Sequence, residues 1–223
     1  MAVRVAPFVT FLLLTFVQGD FGQGARYWVY LVKSLVGIWL FWEMRPFVLE
    51  MRWRFSWEAV VIGVGVCVMW IALGTGLATQ SVLWETLGIS KPPEKPLLPW
   101  NPHAQFGDGS DLAWFFIAVR ILGSSLVVPP IEEVFYRSFL YRYITKVDFE
   151  SVKLTDFAWK PFLITSLIFG FAHHEWLAGI LCGMAYQWLV IRKGRLGDAM
   201  TAHAITNFLL GVWVVWMGDW KFW

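Results

Sequence analysis

Apolar residues along this chain fall into long, nearly uninterrupted blocks rather than the short periodic stripes of a soluble core. The blocks cover approximately residues 5–18, 27–42, 57–79, 111–129, 161–173, 176–191 and 197–217. Roughly 20 helical residues cross the hydrocarbon core of a bilayer. The pattern therefore predicts an all-α protein, a polytopic integral membrane helical bundle with about seven transmembrane helices, bounded by six and eight. Several blocks are shorter than a full span, which implies tilt, local thinning or a merged boundary. Residues 80–110 are polar and rich in proline and glycine, which excludes a regular helix there. The chain is read as a single membrane domain, 1–223. Its N-terminal helices and polar loop occupy 1–110, and a helical core carrying the candidate chemistry occupies 111–217.

The distribution of positive charge orients the bundle. Arg4 precedes the first block, Arg45, Arg52 and Arg54 follow the second, Arg142, Lys146, Lys153 and Lys160 follow the fourth, and Arg192, Lys193 and Arg195 follow the sixth. Alternate connections are thus basic, which places the N-terminus inside and the C-terminus outside. The opening "MAVRVAPFVTFLLLTFVQG" has the basic start and apolar middle of a signal peptide. With a polytopic chain behind it, an uncleaved first helix is expected.

Composition agrees with a membrane setting: 58% of residues are hydrophobic, 15% are charged, and there are 16 Trp and 19 Phe. A net charge of +2 gives no reason to expect a nucleic-acid partner. Cys67 and Cys182 both lie in apolar blocks and suggest neither a disulfide framework nor a metal pair.

Ionisable groups inside such blocks are costly, and function is the default hypothesis for them. In "VVPPIEEVFYRSFLYR", Pro129 and Pro130 predict a helix break, with a new helix starting near Pro130. On it Glu133 and Arg137 stand at i, i+4 and can pair, whereas Glu132 is turned about 100° away with no partner at that spacing. In "FGFAHHEW", Phe169 and His173 share a helix face. His174 and Glu175 are read as ordinary interfacial residues, and His103 in the polar loop as a solvated histidine. In "TAHAITNFLLG", His203 and Asn207 again lie at i, i+4, and both can donate to an oxyanion.

A carboxylate, two histidines and an amide suffice for hydrolysis without a covalent intermediate. The carboxylate, aided by one histidine, deprotonates a water, and the other histidine with the asparagine stabilises the tetrahedral oxyanion. Competing chemistries fit less well. "HEWLA" at 174–178 ends in Ala178 where a zinc site would need a second histidine. Ser124 and Ser125 in "LGSSL" lack the glycines of a nucleophile elbow. Asp108 and Asp198 do not sit within two apolar spans. Glu132 emerges as the best-supported catalytic group, with a metal held by Glu132, His173 and His203 left open.

Three motifs, E-E-x-x-x-R at Glu132, Glu133 and Arg137, F-x-x-x-H at Phe169 and His173, and H-x-x-x-N at His203 and Asn207, occur in order on separate apolar blocks. In order and spacing they resemble the CAAX-protease and bacteriocin-processing family of glutamic intramembrane endopeptidases, over residues from about 112 to 217. "FAHHEWLAG" and "GVWVVWMGDWKFW" resemble the branch linked to bacterial exosortase systems. The resemblance implies Glu132 as the catalytic base, His173 as a positioner of water, and His203 with Asn207 as the oxyanion site. Glu133, Arg137 and Phe169 would support the site. It further implies no metal and no other cofactor, and a membrane-anchored protein or peptide substrate cut near its C-terminus. A lipid bilayer as surroundings, an exosortase-system partner and a bacterial cytoplasmic (inner) membrane location follow from the same likeness. The alternative is a non-catalytic member that binds, protects or helps mature a membrane partner. A carrier reading finds no visible inverted repeat. One tension stands: this topology puts Glu132 and His203 toward the inner face, yet His173 closes its segment at the outer one.

Overall fold

The computed structural model of the protein describes residues 1–89 and 99–223, and every element within them is helical. In chain order these are α1 (Ala2–Val17), α2 (Ala25–Met44), α3 (Trp57–Leu73), α4 (Gln80–Thr86) and α5 (Pro102–Phe106). A long helix, Asp111–Thr145, follows. It comprises α6 (Asp111–Leu122), α7 (Val128–Glu133) and α8 (Tyr141–Thr145), joined by π-helical turns at Gly123–Val127 and Val134–Leu140. Then come α9 (Trp159–Phe171), α10 (Trp176–Lys193) and α11 (Gly197–Met217). The polar segment 80–110, expected to lack helix, in fact contains two short ones, α4 and α5, while its stretch 90–98 lies outside the described residues. α5 forms because Asn101 caps it, its Oδ1 accepting from the amides of His103 (3.0 Å) and Ala104 (3.2 Å), and Pro102 supplies a preset first φ.

The break expected at Pro129 and Pro130 is absent; the helix runs straight through both. The accommodation lies one turn earlier, where the Val128 amide bonds back to the Gly123 carbonyl in π register. Continuing that register would pair the Ser124 carbonyl with the nitrogen of Pro129, which carries no hydrogen. The side chain of Asn207 fills the vacancy, donating from Nδ2 to Ser124 O at 2.8 Å. The prolines thus tie the long helix to α11 instead of ending it.

Contacts at the two ends show that successive long helices alternate in direction. At one end Arg4 meets Glu50 (3.0 Å) and Glu150 (2.8 Å), Lys193 meets Glu58 (2.7 Å), and Thr201 donates to the Arg54 carbonyl (2.7 Å). At the other, Arg26 donates to Pro99 O (2.7 Å), and Gln80 donates to the carbonyls of Phe171 (2.6 Å) and His173 (2.8 Å). Two helices, Asp111–Thr145 and Gly197–Met217, are long and apolar enough to cross a membrane, and α1, α3 and α9 are shorter apolar helices. Large apolar side chains face outward, such as Trp28, Val32, Leu35, Trp39 and Trp42 on one face of α2. Polar groups such as Ser34, Glu133, Arg137, Gln187 and Thr206 are buried. That is the inverse of a soluble monomer, in which large exposed apolar faces are rare.

Two glycines set the helix spacing that the site needs. A Cβ on Gly170 would lie 2.7 Å from both Trp176 O and Ile180 N, so α9 and α10 can touch backbone to backbone only without one. A Cβ on Gly63 would lie 2.7 Å from Ala202 O; α3 therefore presses directly against α11 beside His203.

The N-terminus is anchored by charge. Glu50 Oε1 accepts from Ser138 Oγ (2.6 Å), Arg4 Nη2 (3.0 Å) and Arg142 Nη2 (3.0 Å). Burial alone would push the Glu50 carboxyl up, but the Ser138 hydrogen bond, its own backbone amide and Arg4 outweigh it and hold it below the usual range. A depressed carboxyl contributes stability that is complete above its unfolded pKa, about 4.3, and is lost as pH falls through the folded value. Thermal unfolding against pH should therefore steepen below about pH 4.3 in the native protein, and Glu50→Gln should be less stable at neutral pH with a flatter acid limb. Identical acid limbs in both proteins would remove Glu50 as the cause.

Candidate active site

The adjacent glutamates of the long helix have opposite surroundings. Glu133 is fully buried, with Oε1 3.0 Å from His203 Nδ1 and Oε2 3.2 Å from Arg137 Nε, one turn further on. Arg137 approaches off the hydrogen-bonding direction, so the contact is an ion pair rather than a hydrogen bond. Its guanidinium also lies over the Phe169 ring, 4.7 Å from the centroid. Glu132 instead lines a cavity of about 740 Å³, and its Oε2 is buried with no hydrogen-bond partner among the described residues. An unpartnered carboxylate oxygen beside a cavity is what a group awaiting water or substrate requires.

His173, His203 and Asn207 line the same cavity. α9 ends at Phe171, and the side chain of His173 folds back along it, its Nδ1 2.7 Å from Phe169 O. A carbonyl only accepts, so Nδ1 carries the hydrogen and Nε2 is left available. The ring stands edge-on to Trp70 at 5.4 Å and 4.6 Å from the Phe169 ring, which also lies 6.2 Å from His203. His173 at the end of α9 and His203 and Asn207 on α11 thus line one cavity with Glu132, with the Phe169 ring beside both imidazoles.

His203 is held from two sides. Glu133 fixes its Nδ1, and Tyr186 stacks on the ring at 5.2 Å while its hydroxyl donates to Thr206 Oγ1 at 2.7 Å. A histidine that gives its Nδ1 hydrogen to a carboxylate presents Nε2 in a fixed direction. Asn207 uses one amide hydrogen on Ser124 O, which leaves the second for a ligand. Ser124 also lines the cavity, but its hydroxyl donates to Ile121 O at 3.2 Å. Among the described residues no three His, Cys, Asp or Glu side chains converge as metal ligands, so the set Glu132, His173 and His203 is not gathered on one point.

Several participants escaped the sequence reading. Glu175, taken there as interfacial, is buried and lines the cavity, whereas His174 beside it is exposed. The tie between Glu133 and His203 spans 70 positions and has no local signature. Lys33 and Arg120 line the cavity as well. A signal for both existed, since each is an ionisable residue isolated in an apolar block.

Fold and cavity define a class: a protein helical throughout its described residues in which a carboxylate, two imidazoles and an amide line one cavity. Residues 113–209, which include every motif residue from Glu132 to Asn207, match the family model described as Rce1-like, type II CAAX prenyl endopeptidase Rce1-like. The likeness of this stretch is to a protease family. No curated protein and no solved structure matches the chain.

Proposed function

We propose that the protein is an intramembrane glutamic endopeptidase that hydrolyses a peptide bond in a membrane-associated protein or peptide, near its C-terminus, without a metal. The observation that carries this is the unpartnered Glu132 carboxylate in a cavity shared with His173, His203 and Asn207. In the proposed reaction Glu132 takes a proton from a water positioned by His173, and the hydroxide attacks the peptide carbonyl carbon. The second Asn207 hydrogen stabilises the oxyanion, together with His203 in the form that carries hydrogen on both ring nitrogens, Nδ1 toward Glu133 and Nε2 toward the oxyanion. Collapse of the tetrahedral intermediate breaks the C–N bond as Glu132 passes the proton to the leaving amine. Glu133, held by Arg137, keeps His203 oriented.

The outward apolar faces support a bundle of about seven spans in a bilayer. The end bearing Arg4, Arg54, Arg142 and Lys193 would face the cytoplasm of a bacterial inner membrane, with the N-terminus inside. An exosortase-system partner is the expectation drawn from the motif context. The test is cleavage of internally quenched peptides by full-length protein in nanodiscs, with and without a zinc chelator. Cleavage that resists the chelator and is lost in His203→Ala supports the proposal. Cleavage abolished by the chelator and restored by zinc overturns its metal-free chemistry. Peptide binding without turnover by the native protein would favour the non-catalytic partner.

A further inference from the structure

Lys33 and Arg120 share the cavity with Glu132, yet the hydrolytic scheme uses neither. Lys33 on α2 is only 4% exposed; its ammonium donates to Thr15 Oγ1 (3.2 Å) and Gln18 Oε1 (3.1 Å) and lies 4.7 Å from the centre of the Tyr30 ring. An ammonium has three hydrogens, so one is left over. The Arg120 guanidinium on α6 stands 4.7 Å from the same Tyr30 ring and 4.9 Å from Trp100, with no hydrogen-bond acceptor among the described residues. Neither cation has a carboxylate within ion-pairing distance among those residues, although Lys33 feels the charges of both Arg120 and Glu132 through space. Two like charges therefore flank one aromatic ring. Cation–π contact offsets part of the burial cost, but a full compensation needs an anion.

We propose that Lys33 and Arg120 form a carboxylate-binding subsite, which anchors a peptide substrate and sets which bond reaches Glu132. This rests on the proteolytic reading above. Lys33 and Arg120 lie eight and nine residues inside the starts of α2 and α6, about 12–14 Å along the axis. Lipid phosphates sit at the membrane surface, so an occupant at that depth is a chain that enters the cavity. Arg120 and Glu132 are twelve residues apart on one helix, roughly 18 Å, which an extended peptide covers in about five residues. The bound carboxylate, an α-carboxylate or an Asp or Glu side chain, thus lies about five residues from the cleaved bond when the peptide is extended.

The test uses three fluorophore-labelled apolar peptides: a free acid, its C-terminal amide, and the amide with one internal glutamate. Binding is measured on full-length Glu132→Gln protein in nanodiscs, where nothing is cut, and kcat/KM on the otherwise native protein. The subsite predicts that one of the two carboxylate peptides binds at least about tenfold tighter than the plain amide, and which one does identifies the source. Lys33→Met, which keeps the stem and removes the charge, should erase that preference, as should Arg120→Gln. Equal affinities for all three peptides overturn the subsite, a comparison that holds even where a variant fails to accumulate. Cleavage with equal kcat/KM for acid, amide and glutamate peptides overturns the subsite and leaves the protease reading standing. Carboxylate-selective binding with no cleavage of any peptide does the reverse.

Discussion

Replacing Glu132 by glutamine is expected to lower peptide cleavage by a factor of about 10²–10⁴ while folded protein accumulates as before. Both halves follow from one observation, the absence among the described residues of any hydrogen-bond partner on Glu132 Oε2. A carboxylate that makes no hydrogen bond to another described residue adds little to the packing of the bundle. Its amide isostere leaves no charge stranded, and it removes a charge whose burial was itself unfavourable. What glutamine cannot do is take a proton from water. The sharpest control is Glu175→Gln, because Glu175 is the other carboxylate lining the cavity. Retention of activity by Glu175→Gln and its loss in Glu132→Gln would assign the base to Glu132. The opposite result would move it to the start of α10 and undo the roles given to both glutamates.

The sequence revealed what depends on local spacing and hid what depends on register and long-range contact. The apolar blocks were legible because helices in a bilayer expose uniform surfaces, and α1, α2, α9, α10 and α11 fall within a few residues of the expected limits. The pairing of Glu133 with Arg137 was legible because i, i+4 neighbours on a helix must meet. The prolines misled because their usual effect is to end a helix, and nothing local reveals that a π turn will absorb them. The Asn207 amide that completes that turn arrives from 83 positions away. Long-range ties of this kind, Asn207 to Ser124 and His203 to Glu133, are what convert three separate motifs into one chamber. Lys33 and Arg120 went unremarked although each is an ionisable residue isolated in an apolar block, because neither belongs to a motif and only the cavity relates them to Glu132.

Glu133→Gln should behave in the opposite sense to its neighbour, with a loss of stability of about 3–5 kcal/mol, visible as reduced folded yield and a lower Tm. Glu133 is fully buried and Arg137 is 1% exposed. Removing the carboxylate leaves a guanidinium in the bundle core without its counter-ion, over the Phe169 and Tyr136 rings. Removing both charges is a milder change, since two apolar or neutral side chains of similar volume carry no stranded ion. Glu133→Gln combined with Arg137→Met is therefore expected to recover most of the lost stability. Activity should not return with it, because His203 Nδ1 has still lost the carboxylate that fixes its direction. The pair of measurements separates two jobs that one residue performs, neutralising Arg137 and orienting His203. If the double variant recovers neither yield nor Tm, the ion pair is not what Glu133 contributes. If it recovers cleavage as well, the histidine does not depend on it.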